Sequence, residues 1–225
     1  MINRLNTRFT RAKDIYKREG LVILIKATFA FLISCLSYGK YSFYVYEILV
    51  EKRNVADYMP EIKDITVKIV ETKQQLDELL NDGFELSLLD IPQAHYRLEK
   101  GAIALLIFVE CELAYRLWSA MTEEAKNTFN RWPYKVDFMN NEACDGEAWT
   151  NPKYRRQGIN TYADYKLEEF LLGKGIRKMW RITLTNNIPI HKVHDKREGS
   201  RIYAKADYFR IGRMQFWKET PIEST

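Results

Sequence analysis

The stretch Asn151-Pro152-Lys153-Tyr154-Arg155-Arg156-Gln157-Gly158-Ile159-Asn160 decides how this chain is read. It follows a run that alternates like a strand, residues 142–149. It precedes an apolar face at helical spacing: Ile159, Tyr162, Ala163, Leu167, Phe170 and Leu171. The stretch therefore reads as a strand exit, a basic loop with one glycine, and a helix start. A helix start leaves backbone N–H groups unpaired and carries the positive end of the helix dipole. Gly158 lets the backbone come close to a ligand, and Arg155 and Arg156 add charge. Together these parts make a seat for a phosphate or pyrophosphate. The sequence holds neither G-x-x-x-x-G-K-[ST] nor G-x-G-x-x-G after a first strand. That sets aside Walker-type and dinucleotide-binding loops.

Working outward, residues 65–70 alternate as a strand. Thr72 and Gln75 form a capping box for a helix carrying Leu76, Leu79 and Leu80, with Gly83 as its stop. A second short helix runs from Pro92 to Lys100. Residues 102–109 and 113–119 read as a hairpin. Residues 134–139 and 142–149 read as another, turning at Asn140-Asn141. Beyond the loop, Gly173 and Gly175 end the long helix, and Trp180, Ile182 and Leu184 alternate as a strand. Pro189 sits in the first turn of a further helix that stops at Gly199, and residues 202–211 form a last strand. The order is β-α-α-β-β-β-β-α-β-α-β.

This order, and the segment Pro152-Lys153-Tyr154-Arg155-Arg156-Gln157-Gly158-Ile159-Asn160, resemble the GCN5-related N-acetyltransferase (GNAT) superfamily from about residue 65 to residue 218. The family's acetyl-CoA loop is Arg/Gln-x-x-Gly-x-Gly/Ala, and Asn160 stands where Gly or Ala is usual. A second family signature is an Asn after the strand that follows the loop helix, then a helix and a Gly. Here it reads Asn187 through Lys196 to Gly199. The resemblance implies an α+β fold with a mixed, mostly antiparallel central sheet flanked by helices. It implies acetyl-CoA, or another acyl-CoA, as co-substrate and no metal. The CoA pyrophosphate would lie on backbone N–H groups from Arg156 through Gln157, Gly158, Ile159 and Asn160 to Thr161, with Arg155 and Asn187 nearby. Trp149 and Thr150 would offer backbone bonds to the pantetheine arm. Glu147 is the first candidate for the base that frees an amine nucleophile, with Asp145 as a second carboxylate on the same strand. His194, seven positions after Asn187, is the candidate acid for the departing thiolate.

The rest of the chain sets bounds. It has 225 residues, 46% hydrophobic and 29% charged, a globular composition with room for one domain and an extension. A net charge of +5 suits an anionic ligand, an anionic membrane face or nucleic acid without choosing among them. No recognised nucleic-acid motif is present, so no nucleic acid is expected. Cys35, Cys111 and Cys144 are odd in number and far apart, which argues for a reducing compartment and against a zinc site or disulfide framework. His191, His194 and Asp195 have no supporting cluster of ligands.

Residues 1–60 are expected to be a basic and apolar helical extension, with residues 61–225 as the acyltransferase domain. Arg4, Arg8, Arg11 and Arg18 recur at helical spacing, and residues 21–36 form an apolar run broken by Lys26. As a helix that run would extend about 24 Å, short of a hydrocarbon core of about 30 Å. Three placements stay open: contact with an anionic membrane face through residues 1–40, packing on the domain or in a homodimer, or a span. Residues 41–50 read as a strand. The expected location is cytoplasmic or peripheral on the inner membrane face. The expected activity is N-acetyl transfer to an amine of a small molecule or sugar. The alternative is a non-catalytic CoA- or partner-binding module.

Overall fold

A computed structural model of the chain describes residues 38–86, 89–212 and 214–222. The strands are β1 (Tyr38–Leu49), β2 (Ile65–Val70), β3 (Ile103–Val109), β4 (Glu112–Ala120), β5 (Glu142–Thr150), β6 (Lys178–Leu184), β7 (Ser200–Ile211) and β8 (Met214–Pro221). The helices are α1 (Lys73–Asn81), α2 (Ile91–Glu99), α3 (Glu123–Phe129), α4 (Ile159–Gly173) and α5 (Ile188–Asp195). The strands form a sheet in the order β2-β3-β4-β5-β6-β1-β7-β8. The pairs β2–β3, β3–β4, β4–β5 and β6–β1 are antiparallel, and β5–β6 is parallel.

The chain divides into two units, one of residues 43–205 with 219–225 and one of residues 1–42 with 206–218. In the smaller unit Ser42 donates to Asp207 Oδ1 at 2.5 Å, and the Tyr41 and Tyr208 rings lie 6.2 Å apart. The larger unit carries the core. One face of its sheet packs against α4, whose Ile159, Ala163, Leu167 and Leu171 meet Leu105, Ile107, Tyr115, Leu117 and Met179. On the opposite face α2 and α3 bring Arg97 over the Trp118 ring and Phe129 against Gly146. Strand β3 is buried on both faces, which explains its unbroken apolar sequence.

Several expectations meet a different outcome. Residues 134–139 form no strand: both edges of β5 are already taken, by β4 through Cys144 and Asp145 and by β6 over Glu142 to Asp145. The segment instead ends in a 3-10 turn at Phe138–Asn140, with Asn141 in the left-handed region at φ 56°. Helix α3 was not anticipated, although Thr122 caps it by accepting from Ala125 N–H at 3.2 Å. Strand β8 was also not anticipated. Of the extension expected over residues 1–60, residues 1–37 lie outside the described residues, and with them the run 21–36. Residues 38–49 are β1, which pairs with β6 from Phe43↔Leu184 to Leu49↔Lys178, so the sheet begins well before residue 60. No helix among the described residues is long and apolar enough to cross a membrane.

Polar burial fastens the larger unit. Arg181 donates through Nε to Asp145 Oδ1 at 2.8 Å, and through Nη1 and Nη2 to Asp164 at 3.1 and 2.6 Å. Arg197 reaches Asp164 at 3.1 Å and also Glu168, while Arg53 reaches Glu168 at 2.9 Å. Burial alone would strip a guanidinium of its proton, but Asp145 and Asp164 hold the Arg181 proton firmly in place. Burial also works against the Asp164 carboxylate, yet Arg181 and Arg197 win and set it at about 2. Removing one partner of such a network leaves a buried charge uncompensated. Arg181→Ala should therefore cost about 3–5 kcal/mol of stability. Lys73→Ala, which breaks only the exposed pair with Glu99, should cost less than about 1 kcal/mol. Urea denaturation midpoints of the two variants compare them directly.

Candidate active site

The two parallel strands that flank the loop part company. Strands β5 and β6 pair only from Glu142↔Lys178 to Asp145↔Arg181, though β5 continues to Thr150 and β6 to Leu184. Their outer edges stay in the sheet, with Thr150 against Tyr115 of β4 and Leu184 against Phe43 of β1. Beyond Asp145 and Arg181 the two inner edges do not pair with each other. The result is a fork whose base is the bidentate Asp145–Arg181 ion pair between register partners. A bulge re-aims the β5 arm. Trp118 faces Gly146 while Arg116 faces Trp149, so β5 holds one extra residue, and Glu147 takes φ 51°.

The loop beyond β5 is fastened to the start of β4. Glu112 accepts from Asn151 Nδ2 at 3.1 Å, from Lys153 Nζ at 2.6 Å and from the Tyr154 hydroxyl. The backbone then turns through Arg156 at φ 64° and Gly158 at φ 82° into α4. The first intrahelical bond runs from Tyr162 N–H to Gly158 O at 3.0 Å, so the N–H groups of Ile159, Asn160 and Thr161 precede the helical ladder. Tyr115 donates its hydroxyl to Asn160 Oδ1 at 3.0 Å, and Asn160 Nδ2 is buried without a hydrogen-bond partner. Thus the residue that departs from the family pattern is held by a strand tyrosine.

Gly158 is expected to let the backbone approach a ligand. Its nearest neighbour is instead Pro60: an added Cβ would sit 3.2 Å from Pro60 Cα. Glu61 N–H donates to Gln157 O at 3.2 Å, and Tyr58 stacks on Tyr165 at 5.4 Å. Residues 58–61 therefore lie against the loop. Beside them a cleft of about 270 Å³ opens between α4 and α5, lined by Tyr58, Thr161, Asp164, Lys192, Lys196 and Arg197 among others. Two exposed lysines at its mouth suit an anionic ligand.

The other expected residues fall as follows. Trp149 and Thr150 lie on the β5 arm of the fork, and the Thr150 carbonyl accepts from Arg155 Nε at 3.2 Å. Arg156 is exposed, and Gln157 donates to Lys153 O at 3.2 Å. Asn187 opens α5, where its carbonyl accepts from Ile190 and His191 N–H, both at 3.2 Å. Asp145 is fully buried with both oxygens bound to Arg181, so it is a strut of the fork and does not act as the base. Glu147 is 43% exposed on the other face of the sheet from α4, and its Oε2 accepts from Arg97 at 2.6 Å.

His194 also differs from expectation. It is 2% exposed, stacks on Tyr46 at 4.0 Å and lies 3.0 Å from Ser200 Oγ. Burial first, with Arg181 beside it, pushes the imidazole down to about 3. It is neutral near pH 7 and has no imidazolium proton to give a thiolate. The neighbouring His191 has a defined tautomer. Its Nε2 faces the Leu184 and Thr185 carbonyls at 3.0 and 3.1 Å and must donate, so Nδ1 accepts from the Tyr46 hydroxyl at 2.7 Å. Among the described residues no group of His, Cys, Asp and Glu could hold a metal.

Asp164, Glu168, Arg181 and Arg197 escaped the sequence reading. One signal was present: Asp164 and Glu168 are four apart on α4, and like charges at that spacing need cations facing them. Arg97 and Arg116 carried no sequence signal, since each lies in an unremarkable amphipathic run.

No protein-family model and no curated protein matches the chain. Among solved structures it is similar to a tandem GNAT protein from the clavulanic acid biosynthesis pathway, at 13% identity and TM-score 0.49 over 81% of this chain and 55% of that one. It is similar to a GCN5-related N-acetyltransferase from Sphaerobacter thermophilus, at 13% identity and TM-score 0.47 over 88% and 58%. A GNAT-family acetyltransferase from Colwellia psychrerythraea gives 14% identity and TM-score 0.45 over 73% and 53%. The chain thus spans just over half the length of these structures.

Two outcomes follow for stability. An unfolded histidine titrates near 6.5, whereas folded His194 titrates at about 3. Between those values the unfolded chain binds a proton that the folded chain refuses, so stability falls as pH falls, by up to about 1.4 kcal/mol per pH unit. Denaturation of His194→Gln from pH 7 to 4 should show a shallower loss than the parent. Gly158→Ala should cost about 1–2 kcal/mol, because its φ of 82° is left-handed and Pro60 stands in the way.

Proposed function

We propose that this protein is an acyl-CoA-dependent acyltransferase that moves an acetyl group from acetyl-CoA to an amine of a small-molecule or sugar acceptor. The observation that carries the reading is the fork between β5 and β6, with the Asn151–Gly158 loop leading from one arm into the open N-terminus of α4. The pyrophosphate takes the N–H groups of Ile159, Asn160 and Thr161, with Lys192 and Lys196 along the cleft supplying charge. The pantetheine arm runs in the fork beside Trp149 and Thr150, where unpaired strand edges offer backbone bonds. The acceptor nitrogen attacks the thioester carbon from the face that carries Glu147. A C–N bond forms and the C–S bond breaks. The amine proton passes to Glu147, directly or through one water, and the CoA thiolate leaves and takes a proton from water. Arg97 holds the Glu147 carboxylate in place through Nη1.

A second reading, a CoA-binding module without chemistry, draws on the commitment of Asp145 and His194 to buried partners. Two measurements separate the readings. Acetyl-CoA at about a hundred times its dissociation constant should stabilise the parent by about 2.7 kcal/mol, seen as a rise in Tm. The double variant Lys192→Glu, Lys196→Glu should lose most of that rise while remaining folded. Absence of any rise in the parent rejects acetyl-CoA as the ligand. Transfer measured as free CoA release, with Glu147→Gln slower in kcat by about 10²-fold or more, supports the enzyme; binding with no transfer to any amine supports the module.

A further inference from the structure

Two arginines beside the β5 bulge, Arg97 buried and Arg116 half-buried, each carry a buried Nε without a partner. Arg97, on α2, is 3% exposed, yet the one hydrogen bond of its side chain among the described residues is Nη1 to Glu147 Oε2 at 2.6 Å. Its Nε is buried without a partner, and its charge rests on the Trp118 ring, 5.0 Å from the centroid. Arg116, on β4, has a buried Nε without a partner, and its side chain forms no hydrogen bond or ion pair among the described residues. Its guanidinium lies 5.9 Å from the Trp149 ring. Buried polar groups in folded proteins are paired almost without exception, and a guanidinium presents five donors in a fixed fork.

The surroundings do not account for these two cations. Burial lowers the proton affinity of Arg116, Glu147 raises it, and Arg97 lowers it again as a like charge. Asp90 also acts on Arg116, but its Oδ1 is occupied in capping α2 through Gln93 N–H at 3.0 Å. The position of the two arginines is informative. Tyr115 points toward α4 and Arg116 toward the opposite face, and Arg116 is the register partner of Trp149 on the fork's arm. The pair therefore borders the fork on the face away from the nucleotide loop.

We propose that Arg116 and Arg97 form the seat for an anionic group on the acceptor, a carboxylate or a phosphate, with Trp118 and Trp149 as its walls. The acceptor is then an amine that also bears an acidic group, its anion on Arg116 and Arg97 and its nitrogen beside Glu147. Guanidinium forks match the planar oxygens of a carboxylate and the oxygens of a phosphate. This assignment rests on the acyl-transfer reading for the role of the site, but the anion seat itself is tested without it.

Binding to the full chain is followed by tryptophan fluorescence with two matched pairs: glycine against glycinamide, and glucosamine 6-phosphate against glucosamine. One anionic member should bind at least about tenfold more tightly than its neutral twin, and the pair that discriminates names carboxylate or phosphate. Arg116→Gln should abolish that preference while leaving the acetyl-CoA rise in Tm intact. Should that variant fail to fold, Arg116→Lys, which keeps the charge and loses the fork, should weaken the preference. Equal binding of both twins, binding of neither pair, or a preference that survives the substitution overturns the seat. An Arg116-dependent preference in a protein that acetyl-CoA does not stabilise leaves the seat standing and removes the donor.

Discussion

Asp145 and Arg181 are register partners on two parallel strands, and their side chains close a bidentate ion pair at the last paired position. Below that pair the strands share a ladder; above it they diverge. An ion pair taken out of water needs further partners to offset the loss of hydration. Here Asp164 caps the second side of Arg181, Arg197 balances Asp164, and Glu168 links Arg197 to Arg53. One chain of charges thus binds β5, β6, α4, the end of α5 and the loop after β1. The fork stays open because its base is rigid and its arms are held by β4 and β1.

That constraint orders the rest of the site. Helix α4 is drawn to the fork by Asp164, which brings its N-terminal N–H groups beside the β5 arm. The loop that feeds it is anchored independently by Glu112, whose two oxygens take Asn151, Lys153 and Tyr154. Residues 58–61 complete the surround by resting on Gly158 and Tyr165. The burial that secures the network also keeps His194 neutral, so a residue that looks chemical in sequence is part of the packing.

On the proposed reading, the two faces of the sheet divide the labour. The α4 face supplies positive dipole and lysines, suited to a phosphate-bearing donor. The opposite face carries the bulge, Glu147 and two under-satisfied arginines, suited to an amine that brings its own negative charge. The β5 bulge joins the halves, because the extra residue turns Glu147 outward beside Arg97 while Trp149 and Thr150 regain their pairing with β4.

The local elements were legible in the sequence. The Thr72 capping box, the strand after Gly175, the proline opening α5 and the loop into α4 all depend on neighbours a few residues apart, and all form where read. What failed depended on distant partners. Residues 134–139 look like a strand but find no free edge, because β4 and β6 already flank β5. Trp180, Ile182 and Leu184 read as the apolar face of β6, yet Arg181 on the other face is the more consequential burial, because Asp145 and Asp164 meet it there. Sequence determined the helix start, the charge of its loop and the order of strands, since hydrophobic period and capping are short-range. Tertiary structure alone decided which carboxylates are struts, which histidine is neutral and which arginines keep an unpartnered Nε. Solvation and ion pairing are properties of what surrounds a side chain, not of its place in the chain.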